Sequence, residues 1–425
     1  MVLCRKIDLN NVDIKIVDSL MGTGKTSWAI QYMNDAPFYK KFIYITPFKT
    51  EVERVIKATK HHFVQPETKK NGTKLSNLRT LIAKGENIVS THALFRRLDD
   101  DLIDLIKLQG YTLILDEVMN VLENTNISKA DLGLLLTSKN AMGEPTITID
   151  DNSFVQWNDK DYKEGRFLNI KQLAEAGNLM LYKDVAMYWL FPVKAFKGFD
   201  EVFVLTYMFD GQMQRYYYDL FELNYTYHSV EKSGERYQLI DYIPLTKEDR
   251  VHLKDLINIY YSTYKDRTNL NKIGEGRNAL SSTSLSKLVE NREKKKILKC
   301  NAYNFYRNKI QAPTNKVMWT TRKEHETVLS PIGLKKQFVS ATARATNDYA
   351  DKSVCIYLLN VFMNPIDKQF FERNGVKVNE DLFALSELLQ WIFRSRVRKG
   401  EPIDVYIPSE RMRKLLCRYL GIEVK

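Results

Sequence analysis

The chain reads as an α/β protein of two lobes, each a largely parallel sheet wrapped by helices. Three observations predict this. Apolar runs of four to eight residues recur along both halves, helix-compatible segments separate them, and 425 residues leave room for two or three buried cores. Asp13–Asp18 (DIKIVD) is the first strand and runs into a glycine-containing turn, with Ser27–Met33 opening a helix. Lys41–Thr46 (KFIYIT) is the next strand and Glu51–Thr59 the next helix. Asn87–Ser90, Tyr111–Asp116 and Glu201–Thr206 continue the series. Residues 145–190 break the rhythm with polar alternation (TITIDDNSFVQW) and read as an insertion or an outlying strand pair. A second α/β unit is expected to open with Tyr237–Leu245. Val317–Thr320, Ser353–Leu359 and Ile403–Ile407 are its later strands, and 265–315 is a basic, partly irregular insertion. The division is placed at 228/229, giving lobes 1–228 and 229–425.

Composition bounds the partners. There are 64 Lys+Arg against 52 Asp+Glu, and the resulting +12 tilts the balance toward a polyanion such as nucleic acid or nucleotide. Cys4, Cys300, Cys355 and Cys417 are scattered without close pairs or nearby histidines. That argues against a disulfide framework or zinc site and fits a reducing cytosol. The start MVLCRKIDLNN lacks an apolar core and no stretch approaches 18 apolar residues, so neither a secretory leader nor a membrane span is expected.

The sharpest motif is Ser19-Leu-Met-Gly22-Thr23-Gly24-Lys25-Thr26, between the first strand and first helix. Backbone N–H groups of Gly22, Thr23, Gly24, Lys25 and Thr26, with Ser27 following, can wrap a β-phosphate at the positive end of a helix. Lys25 would reach the β- and γ-phosphates, and the Thr26 hydroxyl would ligate Mg²⁺. Asp116-Glu117 closes the apolar strand YTLILD. Mg²⁺-ATP hydrolysis needs one carboxylate on the metal shell and a neighbour that orients and deprotonates water, roles that suit Asp116 and Glu117. Near the end, Gln390, Arg394 and Arg398 share one face of an expected Leu382–Val397 helix at i, i+4, i+8. Like charges so spaced repel, which points to an anion between them.

These stretches together resemble superfamily 2 helicases. Ser19–Thr26 is similar to motif I, Asp116-Glu117 (in DEVM) to motif II, and Gln390…Arg394…Arg398 to motif VI, with Phe393 for its glycine and the last arginine one residue late. Nearly the whole chain resembles the DEAD-like helicases of tailed phages of Gram-positive bacteria, notably in ARATNDYADK, LLNVFMNP and ALSELLQWIFRSRVRKGEPIDVYIPSERMRKLL. The resemblance implies two RecA-like lobes that bind ATP and Mg²⁺ between them and a nucleic-acid track, DNA ahead of RNA but with both left open. It further implies a setting in phage replication or recombination, with the proteins of those processes, in the host cytoplasm; a monomer is favoured. It also implies nucleic-acid contacts at Thr46, Pro47 and Lys49 (motif Ia) and Ser90, Thr91 and His92 (motif Ib). Thr320 and Thr321 (motif IV) and Arg344, Thr346 and Asn347 (motif V) would extend the same track, and Leu205-Thr206-Tyr207 would be motif III, coupling ATP state to the strand. Small hydroxyls at strand ends can bond phosphate oxygens without reading bases. Residues 292–323 hold ten Lys or Arg and one acidic residue, interleaved with Tyr303, Phe305, Tyr306 and Trp319, a pattern that suits a phosphate backbone and stacked bases. Two rival readings use the same motifs. One is a terminase-like packaging ATPase, which would need clustered carboxylates in the second lobe; the other is a nucleic-acid-binding protein whose nucleotide site does not hydrolyse.

Overall fold

The computed structural model describes residues 12–68, 73–262, 268–341 and 348–423. Its contacts divide the chain into two units. Residues 1–19, 24–242 and 366–378 form the first, and 20–23, 243–365 and 379–425 the second.

The strands of the first unit, in chain order, are β1 (Asp13–Asp18), β2 (Lys41–Thr46), β3 (Phe63–Val64), β4 (Asn87–Thr91) and β5 (Tyr111–Asp116). They continue with β6 (Leu122–Asn124), β7 (Ile147–Ile149), β8 (Val155–Trp157), β9 (Leu179–Tyr182) and β10 (Ala186–Leu190). The last three are β11 (Glu201–Thr206), β12 (Tyr225–Ser233) and β13 (Arg236–Asp241). Eight of them form one sheet in the order β13-β12-β1-β11-β5-β2-β4-β3. All neighbours are parallel except the antiparallel β12–β13 edge. The central strands are apolar on both faces, as a sheet covered by helices on each side requires. Val17, Tyr44, Ile114 and Leu205 are among their fully buried residues.

The 145–190 segment belongs to a subdomain with its own core. β7 and β8 form the expected strand pair. An antiparallel β6-β10-β9 sheet accompanies them, and Leu132, Ile147, Val155, Leu179 and Met187 pack between these pieces. The helix Pro365–Arg373 also serves the first unit. Phe370 packs on Tyr182 and Tyr188, and the Tyr188 hydroxyl donates to Asp367 at 2.7 Å. The Tyr216–Tyr218 run is core, with all three rings fully buried, and His61 is buried.

The sequence placed the division too early. Arg236–Asp241 does not open the second unit; it is the edge strand of the first sheet, so the chain divides after Tyr242. β12 pairs with β1 in parallel, Ile14 opposite Tyr225 through Val17 opposite His228, and β13 folds back on it. Partners some two hundred residues apart leave no local periodicity to read. The Gln31 side chain, in the helix Lys25–Asp35, extends this edge. Its Oε1 accepts from the Tyr237 N–H at 3.0 Å and its Nε2 donates to the Tyr237 carbonyl at 2.9 Å, as another strand would.

The second unit is a parallel sheet in the order β14 (Ile257–Ile259), β17 (Ile403–Tyr406), β16 (Val354–Tyr357), β15 (Val317–Thr320). Trp319 and Trp391 are fully buried, and their indole N–H groups donate to the carbonyls of Leu334 and Val339. The expected tandem α/β architecture is therefore present.

Replacing Gln31 by Ala leaves the Tyr237 backbone groups without partners. Thermal or denaturant unfolding is expected to show a loss of about 1–3 kcal/mol, and hydrogen exchange should rise first along β13.

Candidate nucleotide-binding site

The turn after β1 has the glycine-dependent backbone that an anion site would use. Gly22 and Gly24 take left-handed backbone angles, with φ of +91° and +99°. A Cβ on Gly24 would strike the Tyr237 ring at 2.0 Å, so shape and conformation both demand glycine. Gly24 starts the helix Lys25–Asp35 without any side-chain cap, leaving that helix start to a ligand. Ser19 stands at the first position of the motif because its hydroxyl accepts from the Val230 N–H at 2.8 Å, anchoring the turn to β12. Lys25 is buried and donates from Nζ to the Ser19 carbonyl at 2.5 Å. Thr23 closes the tip by donating its hydroxyl to the Leu20 carbonyl, and Ser27 is exposed on the first helical turn.

Asp116 sits at the end of β5 within reach of that turn. The Thr26 hydroxyl lies 3.4 and 3.5 Å from its two carboxylate oxygens, and the buried Tyr44 hydroxyl donates to it at 2.8 Å. Burial pushes the carboxyl above its usual range, opposed by the Tyr44 hydrogen bond and by Arg54, Lys25 and Thr26. One hydroxyl and one carboxylate are the hard oxygen donors Mg²⁺ takes when nucleotide phosphates and water complete its shell. Among the described residues no cluster of three or more His, Cys, Asp or Glu could hold a metal without a nucleotide. The Thr26 hydroxyl and the Asp116 carboxylate would suit a Mg²⁺ whose remaining ligands come from a nucleotide and water. Glu117 follows with φ +75°, a left-handed conformation that costs a non-glycine residue energy, and its N–H donates to the Leu205 carbonyl at 2.9 Å.

Strand register brings further polar groups to this edge. Thr46 ends β2 and Thr206 ends β11, on either side of β5. Both are fully buried, and neither hydroxyl has a hydrogen-bond partner among the described residues. Orphaned hydroxyls flanking a carboxylate are what a site awaiting a ligand leaves behind.

Sequence reasoning missed three participants: Tyr44, Tyr237 and Asp18. Asp18 ends β1, and its two oxygens accept from the N–H groups of Met208 and Phe209 at 2.8 and 3.0 Å. This holds Met208 left-handed at φ +57° and ties the phosphate turn to the loop after β11. Burial pushes the Asp18 carboxyl up to about 6, against the two N–H groups and Lys25. A charged residue directly after the buried Ile16-Val17 pair, at the end of β1, was the available signal.

The remaining sequence-derived residues are distributed as follows. Pro47 is half-buried, and Lys49 is exposed at the start of the helix Lys49–Ala58. Ser90 is buried, while Thr91 and His92 are half-buried at the end of β4. Thr320 and Thr321 lie inside the second unit, the Thr321 hydroxyl 3.5 Å from the Leu358 carbonyl. Arg344, Thr346 and Asn347 lie outside the described residues. Phe305, Tyr306 and Trp319 are buried, which removes them as base-stacking faces.

One expectation is corrected. The helix expected over Leu382–Val397 runs from Glu380 to Ile392, so Gln390, Arg394 and Arg398 do not share a helical face. The chain breaks because Ser395 caps a new 3₁₀ turn, Arg396–Lys399, with its hydroxyl on the Val397 N–H, while the Arg396 N–H donates to the Lys352 carbonyl. Arg394 is buried and donates to the Ser340 and Ala341 carbonyls, and Arg398 is exposed. The Gln390 amide nitrogen is buried without a partner among the described residues.

Asp18 carries a pH signature. Its carboxyl titrates near 3.8 in an unfolded chain and near 6 here, so between those values the folded state keeps a proton the unfolded state has lost. Stability is expected to fall as pH rises from about 4 to 6, by on the order of 3 kcal/mol, and to level off above. Urea unfolding of Asp18→Asn across that range should lack this component; an unchanged slope would refute the assignment.

Residues 251–420 match the family model of the YonV C-terminal Rossmann-like domain, and residues 122–189 match that of the YonV middle domain. The SPbeta prophage-derived uncharacterized protein YonV of Bacillus subtilis (strain 168) is 38% identical over 420 residues, which is 96% of this chain and 98% of that protein. Among solved structures, an apo XPD is 12% identical and aligns over 97% of this chain and 96% of its own, with a TM-score of 0.47. S. tokodaii Xpd4 is 11% identical over 97% and 94%, with a TM-score of 0.45. Given its identity to YonV along nearly its whole length, the chain belongs to the YonV family.

Proposed function

We propose that this protein is an ATP-dependent nucleic-acid motor, a helicase or translocase, acting on DNA during phage replication or recombination in the host cytoplasm. The observation that carries the reading is the single strand edge on which the glycine turn, Lys25, Thr26, Asp116 and the strained Glu117 converge. Lys25 turns from the Ser19 carbonyl to the β- and γ-phosphates, an exchange its short flexible tether allows. Thr26 and Asp116 would hold a Mg²⁺, which would supply positive charge to the phosphoryl oxygens. Tyr44 fixes the Asp116 carboxylate by donating to one oxygen and leaves the other toward Thr26. Glu117 orients water and takes its proton. Gln390, Arg394 and Arg398 act in turnover rather than in nucleotide capture, as the helicase resemblance implies. The basic balance of the chain and the prophage origin of its 38% identical relative support a phage nucleic-acid role. Among the described residues no helix is long and apolar enough to cross a membrane.

ATPase activity measured with single-stranded DNA, duplex DNA, forked DNA and RNA tests the reading. Hydrolysis with none of them would sink it. Glu117→Gln is expected to bind ATP while losing turnover by roughly 10²–10⁴-fold, and Lys25→Ala to lose both. Arg394→Ala should keep nucleotide affinity and drop turnover by about 10³-fold; wild-type turnover would remove that arginine from the mechanism.

A further inference from the structure

The second unit carries a groove of about 1380 Å³ that the nucleotide chemistry does not use. Its walls are the helices Ser282–Glu290 and Arg292–Asn304 and the turn of residues 268–278. Lys272, Lys287, Lys294 and Lys296 line it, with Glu293 as the one carboxylate. All four lysines are exposed, and none has an ion-pair partner among the described residues. They come from three separate elements, so this is not the solvated face of one helix. Bringing unpaired like charges together costs energy until an anion enters.

A second, independent feature points to the same ligand. The helix Ser282–Glu290 begins at Ser281 without a side-chain cap, and Thr283 and Ser284 of its first turn face the groove. Its first N–H groups and dipole are therefore offered to an anion there. Uncharged donors such as Asn269, Asn278 and Asn291 complete the lining, and they suit phosphate oxygens without selecting bases.

The walls are fixed in place. Gly274 presses on the backbone of Pro408, where a Cβ would come within 2.1 Å of the carbonyl oxygen. The Asn301 amide donates to the Leu270 carbonyl at 3.0 Å, and Asn360 donates to those of Arg277 and Ala279 at 2.8 and 2.9 Å. A groove larger than the roughly 300–1,000 Å³ of small-molecule pockets suits a segment of a polymer. We infer that it grips the phosphodiester backbone of a nucleic-acid strand, without sequence preference, as a hold separate from the phosphate turn. The inference rests on the nucleic-acid half of the proposed function and is independent of its ATPase half.

The test uses the full chain and fluorescein-labelled dT and rU 12-mers, with binding read by anisotropy without nucleotide between 50 and 200 mM salt. The variant K272A/K287A/K294A/K296A is expected to weaken binding by roughly tenfold or more at the lower salt. Its log–log salt slope should flatten by about 0.7 for each lysine that engages a phosphate. The four side chains are exposed, and basal ATPase activity without nucleic acid should stay at the wild-type level, which reports that the fold is intact. Cys300 lines the groove and is exposed, so bound 12-mer should slow its maleimide labelling in the wild type and not in the variant. Loss with either polymer supports the groove, and the tighter of the two identifies the track. Unchanged affinity and slope in the variant, or no binding by the wild type, overturns the proposal. Absent ATPase activity with intact groove binding would overturn the motor reading alone.

Discussion

Two backbone hydrogen bonds at the end of β11 organise the candidate nucleotide site. The Thr206 carbonyl accepts from the Ser19 N–H at 3.1 Å, and the Leu205 carbonyl accepts from the Glu117 N–H at 2.9 Å. One strand thus holds the first residue of the phosphate turn on one side and the second acidic residue on the other. Parallel register makes this possible, because β1, β11 and β5 all point the same way and end level, Asp18 opposite Thr206 and Leu205 opposite Asp116. Loops leaving such ends meet at one edge, where open α/β sheets bind ligands.

The groups around that edge follow from the same geometry. Tyr44 reaches Asp116 because β2 neighbours β5, and Asp18 reaches the Met208 loop because β1 neighbours β11. Each places a polar contact where a buried charge would otherwise stand alone, and a hydrogen-bonded buried carboxylate is far cheaper than an isolated one. The left-handed Glu117 and Met208 are held by these bonds. Strain that the surroundings enforce is common where chemistry is done.

The second unit uses its charge differently. Arg394 and Arg411 are buried and spend their guanidinium groups on backbone carbonyls and on Asp381 and Asn360. The groove lysines are exposed and have no ion-pair partner among the described residues. The same basic composition therefore serves two ends: arginine satisfies interior acceptors through several N–H donors, and lysine presents mobile point charge to the surface.

Much of this protein is determined by sequence alone. The strands Lys41–Thr46, Tyr111–Asp116 and Val317–Thr320 announce themselves because a strand buried on both faces is a near-continuous apolar run, while Asp13–Asp18 and Ile403–Tyr406 show as short apolar runs interrupted by charge. The glycine turn is legible because only glycine accepts its backbone angles, and Asp116-Glu117 because two carboxylates end an otherwise apolar strand. Tertiary structure alone decided that β12 and β13 complete the first sheet, that the arginine segment leaves its helix at Ile392, and that Tyr44, Tyr237 and Asp18 support the site. It also decided that Phe305, Tyr306 and Trp319 point inward while the nearby lysines border a groove. The physical reason is range: backbone conformation and burial pattern act over a few residues and are written locally, whereas strand order, a helix-ending capping bond and the convergence of charges depend on partners tens to hundreds of residues away.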